Sequence, residues 1–206
     1  MRPFRRKINQ NPKGVYAFID SQNLNLGTQK MGWKMDWSKL YQYLQKEHGV
    51  TRAYLFIGYM SEHEEMYNTL HELGYLVVLK PTVVMNDSPQ TSEPTGQVKQ
   101  SADSKNHNHK DQPEVAKRAV KGNVDAELVL YAMKEMPNYS KAIIVSGDGD
   151  FYCLAEYLAS KDRLKHIMTP NRFYSSLLKP YEKYIIRIDE MRRELAYKDY
   201  KRKGAR

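Results

Sequence analysis

Four uninterrupted apolar runs constrain this chain more than any other feature: Val15–Ile19, Ala53–Ile57, Tyr75–Leu79 and Ala142–Val145. None alternates polar with apolar, so each predicts a strand buried on both faces. Leu164–Met168 is a weaker run, and Tyr184–Ile188 adds an expected edge strand. Between them lie stretches with helical spacing. Trp37, Leu40, Tyr41 and Leu44 form one apolar stripe; Met66, Leu70 and Leu73 form another. Helices are also expected over 126–136, 151–158 and 191–197. Strands alternating with helices predict βαβ units and a mainly parallel sheet covered on both faces, the α/β class. A length of 206 residues fits one such domain.

Residues 86–113 break the pattern, with only Val98 and Ala102 apolar. Such a stretch cannot bury enough surface to offset its ordering entropy, so a flexible insertion is expected, with a substrate-ordered flap as the alternative. The formal net charge of +9 is concentrated at the ends. Arg2, Arg5, Arg6 and Lys7 open the chain without an acid; Lys198, Lys201, Arg202, Lys203 and Arg206 close it against Asp199. The expected organisation is therefore a basic arm over 1–13, a domain over 14–197, and a basic tail over 198–206. Basic arms fit a polyanion partner through phosphate contacts and counterion release, or serve solubility alone. No apolar run is long enough for a membrane span. The basic N-terminus leads into no apolar segment of the kind a secretory signal has. One cysteine, Cys153, forbids an internal disulfide and fits a reducing cytoplasm. Cys153 is expected on the packed side of its helix.

Carboxylates converge at one end of this sheet. Asp20 directly follows the first strand, where ligands bind in open parallel sheets. Ser146-Gly147-Asp148-Gly149-Asp150-Phe151 follows the Ala142–Val145 strand and opens at the same edge. Asp125, in Lys121-Gly122-Asn123-Val124-Asp125, is expected in the first turn of a helix. Taken singly, each aspartate fits a turn or a helix cap. Together they would repel strongly unless a cation neutralised them. An all-oxygen set suits Mg²⁺ or Mn²⁺ rather than zinc.

These three segments, with Phe18-Ile19-Asp20-Ser21-Gln22-Asn23 as the first, resemble the NYN domain family, the LabA-like group related to PIN and flap-nuclease domains. The resemblance covers roughly residues 14–190. It implies a PIN-like, Rossmann-like three-layer α/β/α sandwich and an Mg²⁺- or Mn²⁺-dependent endoribonuclease acting on RNA. It also implies that Asp20, Asp125, Asp148 and Asp150 are the metal ligands and catalytic residues. Asn23 and Ser146 are expected beside a phosphate oxygen or metal-held water, or else as turn formers. Lys121 is expected on the substrate backbone, or else in solvent. Homo-oligomerisation is compatible with the sequence but not specified by it.

Rival readings have their own signatures. A non-catalytic RNA-binding or scaffold protein would keep the fold without turnover, yet all four aspartates are present. A haloacid-dehalogenase-type phosphatase needs Asp-x-Asp straight after its first strand, where this chain has Asp20-Ser21-Gln22. A Toprim-type nuclease would usually start from Glu. No Gly-x-Gly-x-x-Gly follows the first strand, which counts against a dinucleotide cofactor. His107 and His109 have no partner at metal-binding spacing.

Overall fold

The computed structural model describes residues 13–81, 83–84, 120–121 and 124–198. The expected insertion over 86–113, His107, His109 and nearly all of the two basic ends lie outside them. The chain runs β1 (Val15–Asp20), α1 (Ser21–Lys30), α2 (Trp37–His48), β2 (Val50–Gly58), α3 (Glu64–Glu72) and β3 (Leu76–Lys80). After β4 (Val83–Val84) and β5 (Val120–Lys121) come α4 (Asp125–Lys134), β6 (Lys141–Val145), α5 (Tyr152–Ser160), β7 (Leu164–Thr169), β8 (Ile185–Arg187) and α6 (Arg192–Leu195). Six strands form one all-parallel sheet in the order β3-β2-β1-β6-β7-β8, while β4 and β5 pair antiparallel beside it. Helices cover both faces, giving the three-layer α/β/α sandwich expected from the sequence.

The pleat sorts β1 and β2 by size. Tyr16, Phe18, Tyr54 and Phe56 face one layer, where Phe18 and Tyr54 stack at 5.4 Å. Leu128 and Ala132 of α4, Leu154 and Leu158 of α5, and Leu178 of a 3₁₀ stretch over 176–184 close that side. Ala17 and Ala53 point to the other face, where Leu24 of α1, Leu40 and Leu44 of α2, and Leu70 of α3 pack against them. Among the described residues, no helix is long and apolar enough to cross a membrane.

Several local expectations need correction. Helix α1 carries little apolar periodicity, yet it forms because the Asp20 side chain accepts the Asn23 N–H at its start and Leu24 and Thr28 are buried. In α3 Leu70 is buried and Leu73 packs on the core as expected, but Met66 is 40% exposed and Tyr67 is buried in its place. Cys153 is exposed rather than packed, because α5 buries Leu154, Ala155 and Leu158 instead. The 191–197 stretch holds only the single turn of α6, preceded by a 3₁₀ turn over Ile188–Met191.

His48, at the end of α2, meets His166 of β7 edge-on at 5.0 Å, and its Nε2 lies 3.2 Å from the Tyr43 hydroxyl. Burial pushes His48 down to about 4, reinforced by the neighbouring His166 and Lys165 and opposed by Glu47. His166 is lowered as well, first by burial and then by Lys165. The folded pKa lies below the unfolded one, so the unfolded chain binds more protons between about pH 4 and 6.5. Stability from these groups is therefore complete above that window and lost as pH falls through it. His48→Gln is expected to flatten the decline in thermal stability over that range. An unchanged pH slope in the variant would remove His48 as its source.

Candidate metal centre at the carboxyl edge of the sheet

Register alone sets the first pair of the site. Ile19 lies beside Val145 in the β1–β6 ladder, so the next residues, Asp20 and Ser146, emerge side by side. The Ser146 hydroxyl donates to Asp20 Oδ2 at 3.4 Å and accepts the Asp148 N–H at 3.2 Å. Asp20 Oδ1 accepts the Asn23 N–H at 3.0 Å. Asn23 in turn accepts the Gly147 N–H on its Oδ1 at 2.9 Å. Asn23 and Ser146 therefore tie the end of β1 to the turn after β6. Ser146 is 1% exposed, with its hydroxyl engaged on both sides.

The turn after β6 is packed from outside. A Cβ on Gly147 would sit 3.2 Å from Pro170 Cδ and 3.3 Å from Tyr174 Cβ, and one on Gly149 would collide with the Ser175 side chain. The two glycines thus allow the loop after β7 to close against the backbone that carries Asp148 and Asp150. Asp148 Oδ1 accepts the Asp150 N–H at 3.1 Å, capping the 3₁₀ turn before α5. Capping and clustering coexist in this residue.

Asp125 arrives from a third direction, as the first residue of α4. Val124 and Leu128 are buried on the aromatic face of the sheet and fix the start of that helix. In the same first turn, Glu127 meets Lys80, at the carboxyl end of β3, at 3.0 Å. Acids in a first helical turn are favoured by the helix dipole. Sequence reasoning missed this tie, although Lys80 at a strand end was the available signal.

The result is a compact group. Carboxylate oxygens of Asp125, Asp148 and Asp150 lie within 4.8 Å of one another. Asp20 sits just behind them and is 5% exposed. Burial pushes its carboxyl up to about 6, aided by the charges of Asp125 and Asp148 and opposed by the bonds from Asn23 and Ser146. Three of the four expected aspartates thus form one oxygen cluster, and the fourth is its buried neighbour. Lys121 lies in β5, but its side chain is outside the described residues.

This donor set fits a hard divalent cation. It offers only carboxylate oxygens, and small shifts of half-buried Asp125 and Asp148 and exposed Asp150 would bring them to the separations found around one ion with oxygen ligands at about 2.0–2.1 Å. Neutralising the mutual repulsion of three acids supplies the drive.

Comparison with known proteins agrees with this architecture. The family model described as NYN domain matches residues 14–189. The low amplitude and bright protein LabA of Synechococcus elongatus is 26% identical over 154 residues, covering 73% of this chain and 70% of that protein. The crystal structure of a protein of unknown function from Vibrio parahaemolyticus superposes with a TM-score of 0.62 at 20% identity, covering 92% of this chain and all of that one. The last likeness concerns the fold.

Proposed function

This chain belongs to the NYN domain family, and from that premise we propose that it is a metal-dependent endoribonuclease that hydrolyses RNA phosphodiester bonds. The observation that carries the reading is the convergence of Asp125, Asp148 and Asp150, from two separate segments, within 4.8 Å. A structural role would not require three acids to share one small volume. Asp125, Asp148 and Asp150 would hold Mg²⁺ or Mn²⁺, with Asp20 as the buried fourth carboxylate. When bound, the cation supplies activation of water for attack on phosphorus and neutralises charge on the departing oxygen.

The chain's own residues supply placement. Ser146 and Asn23 hold Asp20 and the Asp148 turn in fixed relation, and Lys80 anchors α4 through Glu127. Asn23 and Ser146 are thus assigned positioning roles in place of phosphate contact. Lys121 keeps its proposed role on the substrate backbone. The domain is assigned to residues 14–197, and the basic ends to non-specific phosphate contact. The reducing cytoplasm remains the expected compartment.

The reading is tested with purified protein and labelled single-stranded RNA in Mn²⁺, Mg²⁺ or EDTA. Cleavage is expected with either ion and none in EDTA. Metal-independent RNA binding without turnover would instead identify a binding protein on a nuclease-like fold.

Ser146→Ala removes two hydrogen bonds at once without touching an expected ligand. Support of this kind around a metal site is typically worth about 10- to 100-fold in affinity or activity. The variant is expected to need about tenfold more Mn²⁺ for half-maximal cleavage. A wild-type cation titration would show that Asp20 and the Asp148 turn hold their positions without the hydroxyl.

A further inference from the structure

The loop between β7 and the 3₁₀ stretch lies against the acid-bearing turn and carries side chains that the nuclease reading does not use. Phe173 of this loop is 65% exposed, and Leu177, at the start of the 3₁₀ stretch, is 52% exposed. Leu177 Cδ1 lies 3.1 Å from where a Cβ on Gly149 would be, so it packs directly on the turn between Asp148 and Asp150. The Arg172 guanidinium sits 4.8 Å from the Phe173 ring centroid.

This loop is held from several sides. Buried Asn171 donates through Nδ2 to the Gly27 carbonyl at 2.9 Å and accepts the Phe173 N–H on Oδ1 at 2.8 Å. Thr169 donates its hydroxyl to the Asn171 carbonyl at 3.2 Å. Ser175 N–H donates to the Gly147 carbonyl at 2.9 Å. The backbone at Phe173 is thus fixed beside the acidic cluster while its ring is left in solvent. The ring is exposed apart from the Arg172 guanidinium over it, and open to an aromatic ligand.

We propose that Phe173, flanked by Arg172 and Leu177, is a stacking ledge for an unpaired nucleobase next to the phosphate held at the acidic cluster. The proposal rests on the ribonuclease reading and adds to it a residue that holds a base beside the acidic cluster. Bases within a duplex already have both faces stacked, whereas a splayed base can lie on an aromatic ring. The Arg172 charge is placed to meet the backbone of the same nucleotide.

The test measures binding of a short single-stranded RNA carrying 2-aminopurine, and of the same strand in a duplex. Full-length wild-type protein with Mg²⁺ is the parent, and gel analysis confirms that the strand is intact during the measurement. Phe173→Ala and Phe173→Leu are expected to weaken single-strand binding about tenfold and to abolish the 2-aminopurine quench that reports stacking. Duplex affinity is expected to stay unchanged, and Phe173→Trp to restore both signals. A melting temperature equal to that of the parent would confirm that the exposed position is silent for folding. Unchanged single-strand affinity in Phe173→Ala, equal loss on the duplex, full function in Phe173→Leu, or no single-strand binding by the parent protein would each overturn the ledge. Phe173-dependent binding in a protein that cleaves nothing would retain the ledge and reject the nuclease reading. Cleavage indifferent to Phe173 would do the reverse.

Discussion

Asp148→Asn is expected to lower RNA cleavage by more than about a hundredfold, since removing a direct metal ligand should exceed the loss typical of a supporting contact. The substitution isolates charge from structure. Asp148 Oδ1 caps the 3₁₀ turn by accepting the Asp150 N–H, and asparagine caps as well as aspartate. The folded state should therefore survive, with an unchanged circular dichroism spectrum and a cooperative melt. Asp148→Ala, by contrast, would remove both cap and ligand, and any loss of activity would be ambiguous. Turnover at the wild-type rate in Asp148→Asn, in a preparation free of contaminating nuclease, would sink the assignment of Asp148 to the metal.

The second large effect is on stability and requires no substrate. Carboxylates of Asp125, Asp148 and Asp150 crowd one volume, with buried Asp20 behind them, so the metal-free fold carries their repulsion. An ion that binds only the folded form stabilises it by about 2.7 kcal/mol at a hundredfold excess over Kd. For a domain of this size that is a rise of roughly 5–10 °C in Tm, saturating with Mn²⁺ or Mg²⁺. In Asp148→Asn the metal-free Tm should equal or exceed that of wild type, because one negative charge is gone. Its metal-induced gain should be small. Glu72→Gln serves as the control: Glu72 ends α3, at the opposite edge of the sheet, and the variant should keep the full gain. A wild-type shift no larger than the nonspecific response would return the aspartates to turn and capping roles.

What the sequence revealed follows from the physics of burial. Strands buried on both faces leave continuous apolar runs, which made β1, β2 and β6 legible. The Tyr75–Leu79 run was also found, but its strand β3 lies at a sheet edge with Leu76 and Leu79 exposed, and β7 and β8 left weaker signals. Elements held by polar contacts were not. Helix α1, with one side-chain cap and three buried residues, Ser21, Leu24 and Thr28, has little apolar period, and the 3₁₀ stretch over 176–184 is interrupted by Pro180 and held at its start by Ser175. At the site, residue types and chain positions were readable, but partners were not. Asp20, Asp148 and Asp150 were found because they follow strands at one edge, and Asp125 because it was expected in the first turn of a helix at the same end. The inward placement of Asp20 depends on β1–β6 register, and the engagement of Asn23 with Gly147 spans 124 residues. No local pattern encodes contacts over that distance.

The strand order β3-β2-β1-β6-β7-β8 also bears on how the molecule is born. Three strands come from the first part of the chain and three from the last, and the two half-sheets meet only along β1 and β6. Asp20 belongs to the first half; Asp125, Asp148 and Asp150 belong to the second. The Ser146–Asp20 bond joins residues 126 apart, so closing this seam requires a long loop and belongs late in folding. A chain still emerging during synthesis has Asp20 exposed but not the acids it must meet. The four carboxylates are therefore brought together only once the sheet has zipped across its middle.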